Sequence, residues 1–303
     1  MKQRLCIAGG SGLLAVNWAL RMGDRYDIIL LLNQRIVTIK NFESHVVRLD
    51  TKEEALEVVS EIQPDILVNT IAITNVDQCE TDFDLAKHVN AGIAQNLAHA
   101  CASVGCRMVH ISTDHLFDGD EPWMTEAATP LPINAYAKTK LEAENLVLDA
   151  LDEALILRTN FFGWGPGYRR SFSDWIIDNI SEGKAIPLYT DAFFTPIYVG
   201  NLIDIAHRLL ASDLAGIYNA VGNARLSKYD FAMRLCREFD LDANLIQPSS
   251  IKQPGAIATR PSDMSLSNLK LHQSLGGMTL GINEMIAQLH LDRHIESQLM
   301  SVS

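Results

Sequence analysis

Long apolar runs are missing from this 303-residue chain. No stretch approaches the roughly 18 uninterrupted apolar residues of a membrane helix, which excludes a helical membrane span. The opening MKQRLCIAGG carries too short an apolar run for a signal peptide and breaks into glycine, so it reads as a first strand and a cytoplasmic protein is expected. Positive charge is scarce: 25 Lys and Arg stand against 37 Asp and Glu, a net charge of −12. That balance argues against a general nucleic-acid surface, which needs a basic stripe. An anionic small molecule needs only a few local arginines and helix N-termini. Cysteine is limited to Cys6, Cys79, Cys101, Cys106 and Cys236, an odd number without metal-site spacing. Reduced thiols, acting as small buried hydrophobes, and no metal site are therefore expected. Internal repeats, low-complexity tracts and long linkers are also lacking.

What is present suits a large core. With 48% hydrophobic and 20% charged residues the chain can bury one large domain, or a domain with a smaller lobe. Apolar strand candidates near 27 to 32, 46 to 49, 65 to 70, 107 to 112 and 154 to 159 alternate with helical patterns near 52 to 62, 82 to 104 and 135 to 150. Such alternation predicts right-handed crossovers and an α/β, Rossmann-like, doubly wound parallel sheet, with ligands at the carboxyl ends of its strands. After residue 160 the chain turns irregular, through Gly163-Trp164-Gly165-Pro166-Gly167 and Tyr168-Arg169-Arg170. We expect residues 1 to 160 plus about 195 to 222 to form the nucleotide domain, and 161 to 194 plus 223 to 303 a smaller substrate-binding lobe.

Two local motifs carry chemistry. RLCIA at 4 to 8 ends in Gly9-Gly10-Ser11-Gly12-Leu13-Leu14-Ala15, after which an amphipathic stretch with Trp18 and Leu20 reads as a helix. Gly9 permits the tight turn, Gly12 lets backbone N–H groups approach a pyrophosphate, and Ala15 lets helix and strand pack closely. The spacing is GxxGxxA rather than GxGxxG, and its strand-to-helix context is what makes it specific. Further on, Ser112-Thr113-Asp114 follows an apolar strand, and Tyr136 and Lys140 lie four apart in YAKTK. Positions i and i+4 share a helix face, so an ammonium near the phenol would favour phenolate and let tyrosine exchange a proton near neutral pH. A Thr113 hydroxyl can hold the same substrate oxygen. The competing reading of YxxxK is a solvated amphipathic helix.

In order and separation, the glycine turn, NTIAIT (69 to 74), NVDQCE (75 to 80), STDHLFDG (112 to 119), YAKTKLEAE (136 to 144), RTNFFG (158 to 163), TPIYVGNL (195 to 202) and RPSDMSLSNLKL (260 to 271) resemble the extended short-chain dehydrogenase/reductase superfamily. Within it the chain most resembles the dTDP-4-dehydrorhamnose reductase family. The resemblance implies NADPH-dependent reduction of a nucleotide-linked 4-keto-6-deoxy sugar, with Thr113, Tyr136 and Lys140 catalytic. It also implies a place for the enzyme in dTDP-rhamnose biosynthesis and a homodimer. At the cofactor it places Gly9, Gly12, Leu13, Leu14, Asp50, Ile71, Ala72, Thr74, Asn90, Tyr136 and Lys140. At the sugar it places Thr113, Asp114, His115 and Phe161.

Several of these positions have a second reading. Strand two ends in Asn33-Gln34-Arg35, without the carboxylate that usually binds the ribose of NAD, so NADP(H) is favoured through Arg35 over NAD(H); Arg35 as a solvated loop cation is the alternative. Asp50 can instead cap a helix through its Asp-Thr-Lys-Glu pattern, Asn90 can be an interhelical hydrogen-bonder, and Asp114 can cap the next turn. His115 stands where the reductases usually have tyrosine, and Phe161 where they have a tryptophan, which changes the hydrogen bonding and size of the sugar's surroundings. His115 is expected to titrate near neutrality if it donates to the substrate. The Trp164 loop either covers the substrate or packs. Two other classes stay open: an epimerase or dehydratase of the same superfamily, and a non-catalytic NADP-binding regulatory subunit resembling that of methionine adenosyltransferase.

Overall fold

The computed structural model describes residues 2–252, 257–277 and 280–295; the end of the expected lobe, beyond residue 295, lies outside the described residues. Its centre is a parallel sheet built from β1 (Arg4–Ala8), β2 (Asp27–Leu32), β3 (Glu43–Val46), β4 (Ile66–Asn69), β5 (Arg107–Ile111) and β6 (Leu155–Arg158). The seventh strand, Gly216–Asn219, pairs with β6, giving the order β3, β2, β1, β4, β5, β6 and Gly216–Asn219 across the sheet. Alternate residues of the central strands feed two cores: in β1, Leu5 and Ile7 enter one, Cys6 and Ala8 the other. A sheet covered on both faces needs strands that are apolar throughout, which is why the central runs are conspicuous in the sequence.

The helices are α1 (Leu13–Met22), α2 (Lys52–Ile62), α3 (Val76–Thr81), α4 (Phe83–Lys87), α5 (Ile93–Val104), α6 (Ala135–Ala150), α7 (Phe172–Ser181), α8 (Val199–Ala211) and α9 (Lys228–Glu238). α2, α5 and α6 cover one face, while α1 and α8 cover the other. Trp18 of α1 is wholly buried there, its indole N–H donating to His207 Nε2 at 2.9 Å. The chain therefore returns to the sheet through 199–219 after leaving it at Arg158. Around that return, short ladders form beside the main sheet: Phe161–Phe162 with Ile197–Tyr198, Phe193–Phe194 with Leu226–Ser227, and Ile186–Tyr189 with Ile246–Ser249.

Three local expectations need correction. The third strand runs from Glu43 to Val46 rather than over 46 to 49, in an exposed edge register that pairs Ile29 with Glu43 and Leu32 with Val46. An edge strand facing water carries no apolar signal at its start. The stretch 82 to 104 is not one helix: α4 and α5 are separated by a π-helical turn, His88–Gly92. The cap of α2 is Thr51, not Asp50. Thr51 Oγ1 accepts from Glu54 N–H at 3.2 Å, and Glu54 returns the bond to Thr51 N–H at 3.1 Å, a capping box. Asp50 instead faces His88, 3.0 Å from its Nε2.

Candidate active site

At the carboxyl ends of β1, β2, β4 and β5 opens a cavity of about 1060 Å³. Its floor begins at the glycine turn. Gly9 has φ +82°, and a Cβ there would lie 2.8 Å from Thr70 Oγ1, so only glycine sits here without strain. Gly12, which has no side chain to cap with, is the N-cap of α1, and the first turn holds no acidic residue. The amides at the start of a ten-residue helix thus face the cavity without a side-chain partner. That is the donor set a pyrophosphate needs, and the residues fit a dinucleotide. Leu13, Leu14, Asp50, Ile71, Ala72 and Thr74 also line this cavity.

Arg35 and Asn90 do not line it. Arg35 is exposed at the rim, its guanidinium 4.4 Å from the centre of the Tyr168 ring. The Tyr168 hydroxyl in turn donates to Ser11 O at 3.0 Å, and Arg169 donates to Thr74 Oγ1 at 3.2 Å, so the loop before α7 reaches across the glycine turn. Asn90 is fully buried on the π-helical turn. It accepts from Ile73 N–H at 2.7 Å and donates to Ile73 O at 3.2 Å and Thr139 Oγ1 at 2.9 Å. The widened turn lets one polar side chain bond outside its helix, and Asn90 thereby pins the 71–74 segment that lines the cavity. Trp164 packs instead of covering the cavity: it is buried, donating from Nε1 to Leu289 O at 2.9 Å.

α6 supplies the reactive pair. Its N-cap Asn134 accepts from Ala137 N–H at 2.8 Å and donates to Thr259 O at 3.0 Å, fixing the helix start. Tyr136 and Lys140 are then buried on the cavity side, with 8% and 2% of their surface exposed. Burial pushes the Tyr136 phenol up to about 12, a hydrogen bond with Thr113 pulls it back in part, and Asp114 and Cys79 add to the rise. Lys140 moves the other way: burial pushes it down to about 8 against the pull of Glu144. Its Nζ donates to Ile111 O at 2.7 Å and lies 3.3 Å from His110 Nε2. Burial keeps the phenol protonated in this arrangement in place of the expected phenolate, and Lys140 Nζ is bonded to β5.

The sugar end is equally enclosed. Asp114 is buried, accepting from Asn160 Nδ2 at 2.6 Å, and it caps no turn among the described residues; the following backbone N–H, of His115, goes to Thr113 Oγ1 at 3.3 Å. Burial holds His115 below its ordinary range, which corrects the expectation that it titrates near neutrality. His115 Nδ1 and Thr159 Oγ1, both in residues that line the cavity, are buried without a hydrogen-bond partner among the described residues. Phe161 lines the same end.

Sequence reasoning passed over three parts of this site. Glu144 and Arg158 form a buried pair at 2.7 Å, with Ser112 donating to the same carboxylate, which ties α6 to β5 and β6. Asn69 and His110 form a buried polar row behind Lys140. Lys228, at the start of α9, holds its ammonium 3.3 Å from the Phe194 ring centre and 5.1 Å from that of Phe172, with no hydrogen bond or ion pair among the described residues. A buried carboxylate in YAKTKLEAE was the one sequence hint of the first.

With this geometry in hand, the chain matches the family described as RmlD substrate binding domain over residues 4–291. The chain belongs to that family. The dTDP-4-dehydrorhamnose reductase of Escherichia coli strain K12 is 30% identical over 253 residues, 78% of this chain and 84% of that protein. Methionine adenosyltransferase 2 subunit beta of Rattus norvegicus is 28% identical over 247 residues, 78% of this chain and 71% of the relative. Among solved structures, the dTDP-4-dehydrorhamnose reductase of Bacillus anthracis strain Ames in complex with NADP superposes with a TM-score of 0.85 at 28% identity, covering 96% of this chain and 100% of that one. The seven-stranded sheet is thus the Rossmann-like sheet of the extended reductases, as the motif order implied.

Proposed function

We infer that this RmlD-family protein is an oxidoreductase that uses NADP(H) to reduce the keto group of a nucleotide-linked sugar, in the manner of a dTDP-4-dehydrorhamnose reductase. One observation carries the reading: the uncapped glycine-turn helix and the Thr113, Tyr136 and Lys140 side chains open into one cavity. Gly9, Gly12, Leu13 and Leu14 hold the pyrophosphate end of the dinucleotide, Asp50 and Arg35 its adenosine end, and Ile71 to Thr74 its length. When bound, NADPH supplies the hydride. Thr113 and Tyr136 hold the keto oxygen, and Tyr136 passes its phenolic proton to that oxygen as negative charge develops there. A phenol at about 12 is fully protonated at neutral pH and is still a much stronger acid than the alcohol being formed. Lys140 binds the nicotinamide ribose. Asp114, His115 and Phe161 contact the sugar, and the unpartnered His115 Nδ1 and Thr159 Oγ1 are suited to its hydroxyls.

The test is loss of NADPH absorbance, with NADH in parallel, when the purified chain meets dTDP-4-dehydrorhamnose. Rapid oxidation that disappears in Tyr136→Phe, with NADPH binding kept, supports the reading. Undiminished turnover in that variant removes Tyr136 as the acid. The likeness to methionine adenosyltransferase 2 subunit beta favours a second reading, a binding subunit; NADPH binding without turnover of any keto sugar, together with capture of a methionine adenosyltransferase, would replace the first. Cytoplasmic location and self-association as a homodimer are proposed from family likeness, and sizing of the purified chain checks the second.

A further inference from the structure

The buried row Asn69, His110 and Lys140 fixes a protonation state by hydrogen-bond direction alone. Ile71 N–H donates to Asn69 Oδ1 at 3.0 Å, so the amide cannot turn without setting its NH₂ against another N–H. Asn69 Nδ2 is therefore the atom that meets His110 Nδ1, at 3.1 Å. As Nδ2 can only donate, Nδ1 must accept, and the proton of the neutral imidazole lies on Nε2. That Nε2–H points at Lys140 Nζ, 3.3 Å away. An ammonium has no lone pair to receive it, whereas an amine has one and can still donate to Ile111 O at 2.7 Å.

We propose that the Asn69–His110 row holds the amine form of Lys140 in the cofactor-free chain at alkaline pH, and that dinucleotide binding there draws Lys140 off His110 and reprotonates it with one proton from solvent. The inference rests on Lys140 facing the dinucleotide. Both the loss of the His110 donor and the entry of a polyanion into the cavity favour the charged form. Other groups do not supply that proton economy. Glu144, on the same helix, is tied to Arg158 and Ser112. Burial holds the proton on Tyr136, with Asp114 and Cys79 adding to the effect. Asn90 and Thr139, on the side of the π-helical turn, are neutral and bonded to each other. Burial lowers both His110 and Lys140, in keeping with a neutral pair. In cofactor binding, Asn69 and His110 are positioning residues that act through Lys140.

Calorimetry of NADPH binding to the full chain, in buffers of different ionisation enthalpy, reads the proton directly. With Lys140 at about 8, uptake per NADPH rises from roughly 0.1 at pH 7 to roughly 0.9 at pH 9. In Asn69→Leu the imidazole is free to move its proton to Nδ1 and accept from an ammonium, so uptake at pH 9 falls several-fold while binding persists. Binding without uptake in the wild type, or undiminished uptake in Asn69→Leu, overturns the proposal. Nitrogen-15 spectra of His110 in the cofactor-free wild type, assigned against His110→Gln, decide it independently of that variant's folding: an unprotonated Nδ1 is expected, and a proton on Nδ1 refutes the row. Absence of any NADPH or NADH binding would count against the cofactor reading itself, and the His110 spectra would still decide the resting arrangement.

Discussion

The His115 imidazole meets Tyr136 edge-on, with ring centroids 5.6 Å apart and planes at 82°. The contact sets the wall of the proposed acid with a residue whose Nδ1 has no partner among the described residues. His115→Phe keeps a ring at the contact and removes the polar atom. The KM for the sugar nucleotide should rise about 10-fold, as expected for one buried hydrogen bond of roughly 1 to 2 kcal/mol, while NADPH affinity stays unchanged. Steady-state kinetics with calorimetric NADPH binding check it, and an unaltered KM would place the sugar elsewhere.

Arg35 sets its guanidinium carbon 4.4 Å from the centre of the Tyr168 ring at the rim of the glycine turn. A guanidinium there is suited to a 2′-phosphate and has little to offer a ribose hydroxyl. Arg35→Ala should weaken NADPH about 5- to 10-fold and leave NADH within about 2-fold. Direct titration of both dinucleotides measures the split.

Lys228 holds its ammonium over Phe172 and Phe194, where burial pushes it down to about 8 against the pull of Asp114, and Phe172 lines the cavity. Replacing it by methionine preserves the stem and its apolar contact. The sugar nucleotide should bind about 5- to 10-fold more weakly, as for loss of one charge-assisted contact, with the affinity for NADPH unaffected. Equal KM values would reduce Lys228 to a packing residue.

Glu144 and Arg158 are both nearly inaccessible to water. Glu144→Gln leaves a guanidinium uncompensated in the core and should destabilise the fold by about 3 to 5 kcal/mol. Denaturant midpoints at fixed pH read this loss.

Stability should also depend on alkaline pH. Lys140 is depressed to about 8 in the folded chain against 10.5 when free, so the unfolded chain binds more protons between those values. The resulting stabilisation is present above 10.5, and is lost as pH falls through 8. For Lys140 the effect is on the order of a few kcal/mol at most. Unfolding free energies of the cofactor-free wild type should therefore climb from pH 8 to pH 10 more steeply than those of Lys140→Met.

The parts of this molecule that were legible in its sequence are those specified locally. RLCIA followed by glycine marks β1 and its turn, and the helices 52–62 and 135–150 keep their expected bounds because caps and periodicity define them. Tyr136, Lys140 and Thr113 were named from spacing, and all three line the cavity. What escaped depends on partners far along the chain. Nothing near Asn90 announces that its amide will bond Ile73 and Thr139, and without those bonds 82 to 104 reads as one helix. His110 looks like any strand residue until Asn69 and Lys140, 41 and 30 positions away, are set beside it. The direction of the Tyr136 and His115 shifts depends on burial that neither residue's neighbours in sequence disclose.

All five cysteines lie buried as free thiols. Burial also pushes the Cys6, Cys79 and Cys236 thiols up, and a hydrogen bond with Cys106 together with burial raises Cys101, so thiolate is scarce at neutral pH. The native chain is in this way a silent background for maleimide dyes. A surface cysteine introduced beside Tyr168, paired with another near Asn33, would carry fluorophores across the mouth of the cavity without any prior removal of native thiols, and their energy transfer would read the distance between the two sides with and without dinucleotide.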